Sequence, residues 1–182
     1  MRHQLSLALL AVLSAAPAAM AQQPATAPAP AAPAANSPSG GTPDAMPFDI
    51  PYGTSIGGDR ARQVLAAAEA EAKRRHWKLN IAIADTNGEL VHFLRMDGAQ
   101  IASVVVAQGK ARTAARFRRP TQLFYNAAET GHPYVTTLDS LVASPGGFPL
   151  VEDGRLIGAS GCSGGTGDQD AAVCKVGADT IK

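Results

Sequence analysis

Cysteine is scarce in this chain of 182 residues, with Cys162 and Cys174 its only two. Two thiolates alone make a poor metal centre, because a closed structural site takes four ligands. Two readings stay open for them: a disulfide, or a pair of buried thiols behaving as small hydrophobes. An excess of charge is missing as well. Sixteen lysines and arginines face 15 acidic residues, for a net charge of +1, and nothing favours nucleic acid, which needs a basic face. Long apolar stretches are absent: the run Leu5–Leu13 near the N-terminus is too short to span a bilayer permanently. Nor does spacing reveal hydrolytic machinery. Asp85, Asp97, Glu129 and Asp139 are scattered, and Ser163 has neither the context of a nucleophile elbow nor a base nearby.

What is present falls into three segments. A basic head (Met1-Arg2-His3), the apolar run, and small residues at Ala19-Met20-Ala21 make residues 1–21 a secretory signal. The mature chain is therefore expected in the periplasm or outside the cell. No cysteine follows the signal, so a lipid anchor is not expected. Residues 22–50 are dominated by Pro, Ala, Gly, Ser and Thr, a composition that disfavours helix and reads as an extended tether. Residues 51–182, about 130 in number, are enough for one domain with one core.

Within that domain, apolar residues at helical spacing predict a helix over Asp59–His76 and a second over Ile101–Phe117. The alanines at 107, 111, 114 and 115 permit the second helix to approach a sheet closely. Strands are expected over Leu79–Asp85 and Glu89–Arg95, joined at Asn87-Gly88. Thr121 opens a short helix over Gln122–Thr130, and another helical turn is expected over Thr136–Val142. A second hairpin turns at Asp153-Gly154, Arg155–Ser160 is its longer strand, and Asp170–Ile181 is a closing helix. Antiparallel strands with segregated helices make an α+β domain. Lys110, Arg112, Arg116, Arg118 and Arg119 gather at one place, either as a solvated face or as an anion site. In an oxidising compartment the two cysteines can be joined if the last helix returns across its strand. Such a bridge is worth about 2–3 kcal/mol on a chain-entropy estimate.

Glycine is concentrated between Gly146 and Gly165, on both sides of one strand. It admits positive φ and close approach by backbone or ligand, at an entropic cost. Gly146-Gly147-Phe148-Pro149, then Ile157-Gly158-Ala159-Ser160-Gly161-Cys162-Ser163-Gly164-Gly165 and the acidic helix start at Asp168 carry a resemblance. So do Asp85–Val91, Met96–Ala99 and Gly109–Phe117 upstream. Over Thr54–Lys182 the chain resembles the GlcG/HbpS-like family, which includes the C-terminal domain of PduO. The resemblance implies a profilin-like layered domain, a homo-oligomer, and haem as a cofactor in some members.

Haem ligation needs an axial donor and an apolar slot. His76 closes the first helix, where it suits a charge complement to the helix end. His92 is either a satisfied sheet histidine or a ligand, and His132, in a loop beside Tyr134, is the axial metal donor best placed to reach one. Lys110 and Thr113 match the family's Lys-Ala-x-Thr-Ala motif. They either grip a carboxylate or propionate, with Phe117 one turn on, or pair internally, Lys110 with Asp97 and Thr113 with its own helix. Ser163-Gly164-Gly165 could present N–H groups to an anion, but Asp168 and Asp170 oppose this and suit capping. The expected ligand pocket thus lies between the second helix and the glycine hairpin, with Lys110, Thr113, Phe117, His132, Gly146, Gly147, Ser163 and Gly164. Its expected ligand is a small molecule, haem or a related tetrapyrrole. The alternative is an enzyme or accessory acting on a small hydroxy- or keto-acid.

Overall fold

A strand that alternates large and small side chains, Ile81-Ala82-Ile83-Ala84, lies buried inside a four-stranded sheet. The structure, a computed structural model, describes residue 46 and residues 48–182. The expected signal at 1–21 and most of the 22–50 tether lie outside the described residues. The elements run α1 (Gly58–Arg74), β1 (Asn80–Ala84), β2 (Leu90–Arg95), α2 (Ser103–Phe117), α3 (Gln122–Glu129), a 3-10 turn (Pro133–Thr137), β3 (Gly147–Glu152), β4 (Arg155–Ser163) and α4 (Gly167–Ala178). The sheet has the order β2-β1-β4-β3 and every pairing is antiparallel. The α+β layered arrangement expected from the sequence is what forms.

Alternation along β1 sorts the layers, since successive side chains point to opposite faces. Ile81 and Ile83 join the main core with Val64, Leu65 and Ala68 of α1 and Val173 of α4. Ala82 and Ala84 face Ala107 and Ala111 of α2 on the other side. Small residues on both surfaces let α2 lie almost directly on the sheet. A Cβ at Gly161 would overlap the Ala107 carbonyl and the Ala111 nitrogen. Pro149, which cannot donate to a ladder, sits on the edge strand β3.

The hairpin turns are those the sequence specifies. Gly88 has φ 83°, and the Asp85 carboxylate accepts from the Asn87 and Glu89 amides at 2.8 and 2.9 Å. Asp153 and Gly154 both have positive φ, the requirement of a primed two-residue turn. Cys162 of β4 and Cys174 of α4 are bridged, their Cα atoms 5.5 Å apart.

Three expectations are corrected. The single helical turn falls at Pro133–Thr137 rather than Thr136–Val142, where Pro133 supplies a preset φ for the first position. The cap of α4 is Thr166, which forms a capping box with Gln169, and not Asp168 or Asp170. The arginine group at the end of α2 is not a free solvated face. Arg118 donates to the Ile50 carbonyl at 2.8 Å and covers the Tyr52 ring, and Arg119 lies 3.5 Å over the Phe48 ring. Pro51 and Gly53 pair with Leu156 of β4. Residues 48–53 are therefore a strap belonging to the domain, which starts before residue 51. Among the described residues no helix is long and apolar enough to cross a membrane.

Candidate functional site

Lys110 sits on the inner face of α2, where the helix meets the glycine hairpin. Its side chain is only 1% exposed and its ammonium donates to Asp170 Oδ2 at 2.8 Å and to the Cys162 carbonyl at 3.1 Å. The other Asp170 oxygen accepts from the Gly165 amide at 2.9 Å. Burial pushes the Lys110 pKa below the ordinary lysine value, and the hydrogen bond and charge of Asp170 oppose that shift. The two glycines make the seam possible. A Cβ at Gly146, whose φ is 114°, would stand 2.8 Å from Asp170 Cβ and 3.2 Å from Lys110 Nζ, and one at Gly147 would stand 2.6 Å from the Lys110 carbonyl. Lys110, Asp170, Gly146 and Gly147 form a closed latch across α2, β3, β4 and α4.

The remaining residues named from the sequence are placed as follows. Thr113 is buried, donates to the Ser140 carbonyl at 3.3 Å and accepts from the Val142 amide at 2.9 Å, so it pins the loop after the 3-10 turn rather than bonding to its own helix. Lys110 pairs with Asp170 and not with Asp97. Phe117 meets Phe124 edge to face with ring centres 5.1 Å apart. Ser163 ends β4 beside the latch and is 5% exposed. Gly164 lets the chain pass the Lys78 carbonyl and Leu79 Cα, which a side chain there would meet. The seam thus unites Lys110, Gly146 and Gly147, with Ser163 and Gly164 next along the chain, but fills the space between helix and hairpin. Ligand contact with Lys110 or Thr113 requires that seam to part. His132 stands in a separate exposed loop, edge to face with Tyr134 at 6.0 Å. His92 is half-buried opposite Ile83. Among the described residues no group of three or more His, Cys, Asp and Glu is arranged to hold a metal ion.

An open groove lies elsewhere, at the C-terminal end of α1. It holds about 460 Å³ and is formed by Trp77, Leu94 and Met96 together with His76, Lys73 and Arg95. A second groove of about 310 Å³ shares His76, Trp77 and Lys78 and continues to Gly164 and Gln169. In the sequence His76 suits a helix-end complement, and its neighbour Trp77 reads only as part of the helix pattern. The signal was there: the only tryptophan of the chain follows a histidine at the end of a basic helix turn.

Known proteins resemble this chain throughout the domain. Residues 56–179 match the family model described as "Haem degrading protein HbpS-like". Protein GlcG of Escherichia coli (strain K12) is 41% identical over 103 residues, covering 57% of this chain and 77% of that protein. The crystal structure of HbpS aligns with a TM-score of 0.67 at 25% identity, over 76% of this chain and 98% of that one. A PduOC:heme complex aligns with a TM-score of 0.65 at 26% identity, over 71% of this chain and 96% of that one. With the matched region spanning the sheet and all four helices, the chain belongs to the HbpS-like family.

Proposed function

We propose that this chain is an exported binding protein for haem or a related tetrapyrrole. The observation that carries the reading is the family match over residues 56–179, supported by a domain of the same fold, 26% identical, solved with haem. Residues 1–21 would direct export, and 22–50 would form an extended segment ahead of the domain. The Cys162–Cys174 bridge supports this, since such bonds persist in oxidising compartments.

The donor set fits the group. Haem supplies an iron that takes an imidazole and a flat apolar ring with two propionates. Two of the three described histidines, His76 and His132, are exposed and able to offer a ring nitrogen. The Lys110 latch then acts as scaffold, holding β4 and α4 in place beneath the surface that binds. We also propose self-association. Ile101, two residues ahead of α2, and Val105, in its first turn, are 78% and 71% exposed, and burying such side chains favours association.

Titrating the mature protein, residues 22–182, with haemin tests the reading. A saturable Soret band at micromolar haemin is expected. A spectrum equal to free haemin plus protein overturns it.

A further inference from the structure

We propose that the groove at the end of α1 is the haem site, with His76 as the iron donor and Trp77 as the wall of the slot; this rests on the haem reading above. The argument begins with backbone geometry. α1 ends in a Schellman motif: the His76 amide donates to the Lys73 carbonyl at 3.0 Å and the Trp77 amide to the Ala72 carbonyl at 2.9 Å. The position between, usually glycine, must adopt positive φ. Here it is His76, with φ 57°. A side chain bearing a Cβ is held in a conformation that favours glycine, at the mouth of the groove, and backbone outliers of this kind gather at ligand sites. The motif also fixes the backbone from which the imidazole projects, because the His76 and Trp77 amides are both tied to the helix.

The walls suit a flat apolar ring. Trp77 is half-buried, packed against the main core on its inner side, with Arg75 stacked 4.9 Å from its ring centre. Leu94 and Met96 continue the apolar surface, and the Met96 sulfur is fixed by accepting from the Leu79 amide at 3.5 Å. The rim suits propionates. Lys73, Lys78 and Arg95 stand against Glu69 and Asp97, and Glu69 is already neutralised by Lys73 at 2.6 Å. Lys78 and Arg95 make no ion pair among the described residues and remain to receive carboxylates. A volume of about 460 Å³ falls within the range of small-molecule sites. Neither groove includes His132 or Lys110 in its walls.

The test compares the mature protein with His76→Gly and with Lys78→Glu/Arg95→Glu. Glycine is the usual occupant of the Schellman position, so His76→Gly keeps the fold, which thermal unfolding verifies. Haemin titrations are followed by absorption. His76→Gly should lose the ligand-field signature of bound imidazole, weaken binding more than about tenfold, and regain the spectrum when free imidazole is added. The charge reversal should weaken binding about tenfold while leaving the Soret position unchanged. An unaltered titration of His76→Gly overturns the site and leaves the haem reading standing, as does loss of binding in His132→Ala alone. Absence of any haemin binding by the unsubstituted protein removes both.

Discussion

Lys110 shows how a single residue can look like a ligand contact and serve as a structural one. Its ammonium is sealed from water, so the charge weighs against folding at neutral pH, and that cost eases as pH rises toward the ordinary lysine value, because the folded chain releases the proton first. The pair is kept because either member alone is worse. Lys110→Met leaves the Asp170 carboxylate buried without its cation and should lower stability by about 3–5 kcal/mol in urea unfolding. Adding Asp170→Asn should recover a large part of that loss, since the amide oxygen still accepts from Gly165. A loss below about 1 kcal/mol for Lys110→Met would show that the latch does not hold the seam.

At the scale of elements, the bridge between β4 and α4 closes the glycine loop that the latch also spans. The two cysteines are 12 residues apart, a loop for which chain entropy estimates about 3 kcal/mol. Reduction under native conditions should shift the urea midpoint to match, and an unchanged midpoint would show that the latch alone suffices. The elements themselves were legible because their signals are local. Helical spacing marked α1 and α2 within two residues of their observed ends, and Asn87-Gly88 and Asp153-Gly154 marked both turns. The failures are non-local. Asp170 stands 60 residues from Lys110, and an acid in a first helical turn is indistinguishable by spacing from a dipole complement. Arg118 and Arg119 read as a solvated face because Tyr52 and Phe48 lie far from them in sequence, Phe48 within a segment whose composition looked like linker. Of the groove beside His76, the adjacent histidine and tryptophan were visible in the sequence, but the facing wall was not, since α1 and β2 are separated by β1 and a hairpin.

For the molecule as a whole, the proposed self-association turns on one exposed apolar pair. Ile101, two residues ahead of α2, and Val105 in its first turn are both largely exposed, and each such side chain is worth about 1.5–3 kcal/mol when buried. The substitution Ile101→Glu/Val105→Glu should reduce the assembled mass seen by light scattering by driving the equilibrium to smaller species. An unchanged mass would place the interface elsewhere. The stitched strap at residues 48–53 has a further geometric result. It enters ahead of the first turn of α1, whereas His76 lies just past the last, and 17 helical residues rise about 25 Å. His76 therefore stands a full helix length, measured along α1, from the point where the strap joins that helix.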